Sequence, residues 1–197
     1  MQYDIWAINP APDDDILRAN ASIAGAGALT LLTTSVSPYG TGYKLAITSA
    51  GNDSGITFTV VGIKVGDLTG ANTTEVVTGA NAGAATTTNY YTSVSSITAS
   101  GASAGNVKIG SSGSLALPRT RIKSFYFVGA ANAGSVSFNL NSPTGATLLK
   151  IDTPAGSGAF SDSVTIPGEG ILTTRNNRTD FAVVTLTEVT NVTVFCG

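Results

Sequence analysis

The pentapeptide Gly101-Ala102-Ser103-Ala104-Gly105 matches the G-x-S-x-G pattern that presents a serine nucleophile on a sharp turn between a strand and a helix. That chemistry needs a general base, usually histidine, to take the hydroxyl proton. The chain contains no histidine, and from Val107 onward it reads as strand rather than helix. A serine hydrolase is therefore set aside. The missing histidine also removes the commonest zinc and iron ligand, and a single cysteine, Cys196, can build neither a thiolate site nor an intrachain disulfide. Cys196 shares strand parity with Val192 and Val194 and reads as a small buried hydrophobe. No cofactor and no metal are expected.

Carboxylates are the remaining chemistry-bearing groups. Asp13, Asp14 and Asp15 are consecutive, and consecutive carboxylates of an extended chain do not converge on one cation; the spaced oxygens of a calcium loop are missing. They read as a solvated acidic start to a turn. Glycoside hydrolysis needs two carboxyl groups about 5–10 Å apart. Asp53, Asp67, Glu75, Asp152, Asp162, Glu169, Asp180 and Glu188 mostly fall in turns or among small polar residues, with no pair marked out by spacing. The sequons Asn20-Ala21-Ser22, Asn52-Asp53-Ser54 and Asn191-Val192-Thr193 are ordinary products of a Thr-rich chain. Arg119, Arg121 and Lys123 fall on one side of an extended segment. They read either as a strip that meets an acidic neighbour or as charges that guard a strand edge.

The elements that carry these residues are strands. Tyr43, Leu45 and Ile47 alternate with polar or small residues, as do Ile56, Phe58 and Val60, then Val136, Phe138 and Leu140, then Phe160, Val164 and Ile166. A period of two sends one set to a core and the other to solvent. Further strands are predicted over 28–35, 74–78, 89–98, 105–109, 122–128, 146–151, 180–186 and 191–196, bounded by Gly, Asn and Asp. Phe125 and Phe127 share a face with Lys123 by parity, and Ile122, Tyr126 and Val128 share the other. A strand apolar on both faces must be covered on both, so Phe125 and Phe127 are expected at a contact with another domain or subunit.

The fold class expected is all-β: two small antiparallel β-sandwich or jelly-roll-like domains with an extended N-terminal arm. The arm takes residues 1–27, with Ile5 and Trp6 as its anchor. The first domain takes 28–112, the linker 113–120 and the second domain 121–197. Gly110-Ser111-Ser112-Gly113-Ser114-Leu115-Ala116-Leu117-Pro118 suggests flexibility at the boundary. Ala/Gly-rich turns recur at 80–83, 101–105 and 129–134; either duplication or the reuse of turn residues accounts for them.

Composition narrows the function. Hydrophobic residues make up 42% of the chain and charged residues only 11%, under half the roughly 25% of an ordinary domain. The exposed faces must then consist of Ser, Thr, Asn, Gly and Ala, a surface that repels neighbours weakly. The net charge is −2, and neither half has the basic excess of a nucleic-acid binder. No apolar run approaches the roughly 20 residues that span a bilayer, so no membrane partner is expected. Residues 1–12 lack the basic and apolar regions of a signal peptide.

The run Gly55-Ile56-Thr57-Phe58-Thr59-Val60-Val61-Gly62, with Thr74 to Gly83, Tyr90 to Gly101 and Ala104 to Gly110, resembles β modules of tailed-phage structural proteins, those of cyanophages and related short-tailed phages above all. The likeness covers about residues 43–110. A looser one covers 119–197, around Thr147 to Ala155 and Ile166 to Ile171. The resemblance implies a non-enzymatic virion protein made in the host bacterial cytoplasm. It would decorate and cement the capsid surface, with the major capsid protein as partner and a homotrimer as its own assembly. A tail, adaptor or host-receptor-binding protein is the alternative, with Tyr39, Tyr43, Tyr90 and Tyr91 available to stack on sugars. A glycan-degrading enzyme is the remote one. On the first reading Ile5, Trp6, Arg119, Arg121, Lys123, Phe125 and Phe127 form the interface.

Overall fold

Alternating β-branched and polar residues, with Gly and Asn at the reversals, produce sixteen strands among the described residues and no helix. The structure is a computed structural model that describes residues 6–8, 13–36, 41–156, 159–174 and 179–197. Ile5 and Tyr39 lie outside them. The fold is all-β and antiparallel, and it is β-sandwich-like. The chain divides into two units, one holding residues 13–114 and the other holding Leu115–Gly197 with the strand β1 (Trp6–Ile8).

In the first unit, β8 (Tyr91–Ala99) is central. Along one edge it pairs with β5 (Thr57–Lys64), which pairs onward with β6 (Thr73–Thr78). Along the other edge it meets in turn β3 (Gly27–Ala28), a bridge from Ser35, and Tyr43 of β4 (Gly42–Ser49). Strand β4 then takes β7 (Ala84–Thr86) as its partner, and β2 (Arg18–Ala21) pairs with β9 (Val107–Leu117). Phe58, Val60, Tyr91, Val94, Ile97, Leu45, Ile47, Val107 and Ile109 are fully buried. Each such side chain contributes about 1.5–3 kcal/mol relative to exposure.

The second unit has two layers. One runs β1, β16 (Val189–Cys196), β10 (Arg121–Gly129) and β13 (Phe160–Thr165), with β14 (Ile171–Leu172) also on β10. The other runs β12 (Thr147–Thr153), β11 (Gly134–Leu140), β15 (Ala182–Thr187) and the last residues of β9. Phe125 of β10 meets Phe138 of β11 edge to face at 5.4 Å between ring centroids. That aromatic pair fixes the centre of the sandwich.

Three features differ from the expectation. Residues 13–28 are not a free arm. Leu17 is fully buried, Ile23 is nearly so, and β2 and β3 pair with β9 and β8. The Arg18 guanidinium helps hold this segment by donating to the carbonyls of Ala19, Ala21, Ser22 and Val107. Most of the expected linker is strand, because β9 continues to Leu117. Gly113 takes φ +77°, a conformation open to glycine, and Leu115, Ala116 and Leu117 are buried beyond it. Finally, β10 carries a β-bulge between Ile122 and Ser124. The extra residue changes the parity, so Ile122, Phe125 and Phe127 are all buried while Tyr126 is exposed.

Candidate interaction surfaces

The bulge decides the fate of the expected interface. Phe125 and Phe127 lie inside their own unit, where Phe127 meets Phe160 at 6.0 Å with the rings near perpendicular. They are core residues, which corrects the expectation that they cover a neighbour. Residues 121–123 are drawn to the turn that precedes β14. The Arg121 guanidinium lies 3.4 Å from the Glu169 carboxylate, and Lys123 Nζ donates to the Glu169 carbonyl at 2.7 Å. Two of the three cations of the expected basic strip thus have an acidic partner or carbonyl within the same chain, and Arg119 is exposed. Of the arm anchors, Trp6 sits opposite Cys196 in the β1–β16 ladder.

The sequence motifs resolve into structural roles. The Ser103 hydroxyl donates to the Gly105 carbonyl at 2.6 Å and accepts the Ile23 N–H at 2.8 Å, which ties a turn together. The Asp13 N–H donates to the Ser111 hydroxyl, the Ser111 N–H donates to the Asp13 carbonyl, and Asp14 forms an ion pair with Lys108. Gly110 permits this approach, since a Cβ there would fall 1.9 Å from the Asp13 carbonyl oxygen. Tyr43, Tyr90 and Tyr91 are buried, so none of the three offers a face to sugar. Lys44 lies over the Tyr90 ring at 5.4 Å. Among the described residues, no three His, Cys, Asp or Glu side chains gather as a metal site, and no helix is long and apolar enough to cross a membrane.

Two carboxylates that spacing did not single out organise the first unit. Asp53, buried, accepts the Ala104 N–H at Oδ1, while its own N–H donates to Ala80. It thereby joins the turns at 50–55, 79–83 and 101–106. Glu75 on β6 accepts from the N–H groups of Thr88 and Asn89, from Asn89 Nδ2 at 2.9 Å and from the Tyr91 hydroxyl at 3.2 Å. Burial, and then the Glu75 charge, push the Tyr91 hydroxyl up to about 12. One sequence signal existed for Glu75: it shares the inward parity of Val77, where a charge requires partners.

The surface itself is poor in charge. Thr74, Thr78, Ser95 and Thr98 are exposed on the sheet, and Leu32, Leu68, Val76 and Tyr126 are exposed large apolar residues. A concave surface of about 450 Å³ is lined mainly by small residues of the 18–32 segment, with Ile23, Leu29 and Leu32. No family model matches the chain, no curated protein matches it, and no solved structure matches it.

Proposed function

We propose that this chain is a structural component of a phage particle that coats the exterior of the head shell and stiffens it by contact rather than by catalysis. The observation that carries the reading is the surface. About half of the exposed strand positions among the described residues hold Thr or Ser, and the charged ones are Lys64, Lys150, Asp152 and Asp162, two of each sign, so apposed protein surfaces meet little like-charge repulsion and lose few hydrated ions. The resemblance of residues 43–110 and 119–197 to tailed-phage modules supports the same reading. Binding would act by mass action: a protein that binds the assembled shell, and not its separated subunits, shifts the balance toward the shell. Contacts of about 1,200–2,000 Å² in total would hold it there.

Purified chain added to phage heads that lack decoration provides the test. Saturable binding in proportion to the shell subunits, with a raised temperature of head disruption, is the expected result. Binding confined to tails, or at a few copies per particle, would overturn it.

A further inference from the structure

We infer that the outer edge of β6 is a self-pairing surface, on which two copies of this chain meet as antiparallel strands with Val76 opposite Val76. The inference goes beyond the proposed function and stands whether or not the chain coats a capsid. Strand β6 is a terminal strand in the sheet order and pairs with β5 in an unbroken register from Thr73 to Thr78. The Gly79 N–H donates to the Ile56 carbonyl in that register. In an antiparallel ladder alternate residues turn their backbone groups to opposite edges. Thr73, Glu75 and Val77 therefore bond to β5, and Thr74, Val76 and Thr78 direct N–H and C=O outward. No backbone bond joins those three residues to any other described residue.

Sheet edges are usually blunted by Lys, Pro, bulges, charge or shortness. Other edge strands of this chain follow that rule: β12 carries exposed Lys150 and a register break, β13 carries exposed Asp162, and β3 and β7 have two and three residues. Strand β6 has no Lys, no Pro, no bulge and no outward-facing charge; its one charge, Glu75, has the inward parity of Val77 and is already paired. Its sequence Thr-Thr-Glu-Val-Val-Thr is β-branched except at Glu75, whose carboxylate is held by Thr88, Asn89 and Tyr91. Val76 is 61% exposed.

The partner follows from the register. Placing Val76 against Val76 pairs Thr74 with Thr78 twice over, and each of these three pairs exchanges both of its backbone bonds. It also sets Glu75 opposite Val77. Slipping the partner to bring Thr74 against Val76 loses a pair and sets Glu75 against Glu75, where like charges oppose. Slipping it the other way, with Val77 against Val77, also loses a pair, so the Val76 register uses the most outward groups and is two-fold, as a symmetric contact requires.

Cysteine cross-linking of the full chain tests this. Directly opposed residues of a bonded pair lie about 5.5 Å apart at Cα, within disulfide reach of roughly 4.4–6.8 Å. V76C should form a disulfide-linked dimer under mild oxidation at least tenfold faster than L68C, a control of similar exposure; the native Cys196 is buried. Sedimentation of the wild-type chain should reveal a concentration-dependent dimer, and V76P, which removes only an outward N–H, should abolish it. Equal cross-linking rates, a wild-type monomer at the highest concentration, or a folded V76P that still dimerises would overturn the inference. If V76P does not fold, the two cross-linking rates decide.

Discussion

Asp53 Oδ1 accepts the backbone N–H of Ala104 at 2.6 Å across 51 residues of sequence, and this bond joins the turns at 50–55 and 101–106, which the Ala50 N–H to Asn106 carbonyl bond also links. Its other oxygen, Oδ2, is buried without a hydrogen-bond partner among the described residues. D53A leaves the Ala104 N–H without its acceptor. A loss of about 1–3 kcal/mol in urea unfolding is expected. D53N keeps an acceptor oxygen and should lose less. A D53A protein as stable as wild type would show that the turns hold themselves.

Tyr91 provides a pH signature. Its hydroxyl, pushed up to about 12 by burial and by Glu75, should ionise above the ordinary tyrosine range in a titration followed by phenolate absorbance. The folded state keeps the proton longer than the unfolded chain, whose tyrosine loses it near 10. The stabilisation is therefore complete below pH 10 and is lost as pH rises toward 12. E75Q removes the neighbouring charge, so Tyr91 should then ionise at lower pH. An unchanged titration in E75Q would contradict the contact.

Period-two patterning made most of the ladder legible, and the strands around Tyr43, Phe58, Val136 and Phe160 lie within a few residues of their expected positions. What escaped has physical causes. One extra residue at the β10 bulge inverts parity without altering composition, so Phe125 and Phe127 read as meeting another domain or subunit and instead pack inside their own unit. Strands β2, β3 and β7 consist largely of Ala, Gly, Asn and Thr, too small or polar to give an apolar rhythm, and their pairing partners define them. Gly113 signalled flexibility and instead lets β9 continue. The contacts of Glu75 and Asp53 were hidden because their partners are distant in sequence and are mostly backbone N–H groups, which every residue except proline carries.

The Phe125–Phe138 contact predicts a measurable coupling. F125A and F138A should each cost about 3–5 kcal/mol, as for other buried aromatic truncations. In a double-mutant cycle the pair should couple by about 0.5–1.5 kcal/mol beyond the area each buries. Additive losses would mean that the rings merely occupy the same core.

Cys196 should be silent to thiol reagents in the native protein. It is buried, and burial pushes the thiol up to about 11, with a hydrogen bond to Thr120 opposing the shift. The thiolate is the reactive form. At pH 8 a disulfide-exchange reagent should therefore release no colour until denaturant is added, and then one equivalent per chain. Prompt reaction without denaturant would place the β1–β16–β10 edge open to solvent.

Gly110 tests whether residues 13–17 belong to the folded first unit. A Cβ at this position meets backbone, 1.9 Å from the Asp13 oxygen and 2.5 Å from the Asp14 carbonyl carbon, so no side-chain rotation relieves it. In G110A the segment must move away from β9. The bonds from the Leu17 N–H to Ile109 and from the Ser111 N–H to Asp13 should then weaken. Hydrogen exchange at Leu17 and Ser111 is expected to accelerate, with a lowered melting temperature. Gly55, where an added Cβ meets nothing within 4 Å, supplies the control: G55A should leave both measurements unchanged or slightly improved. Exchange at Leu17 and Ser111 that is the same in G110A as in wild type would mean that residues 13–17 do not rest on β9.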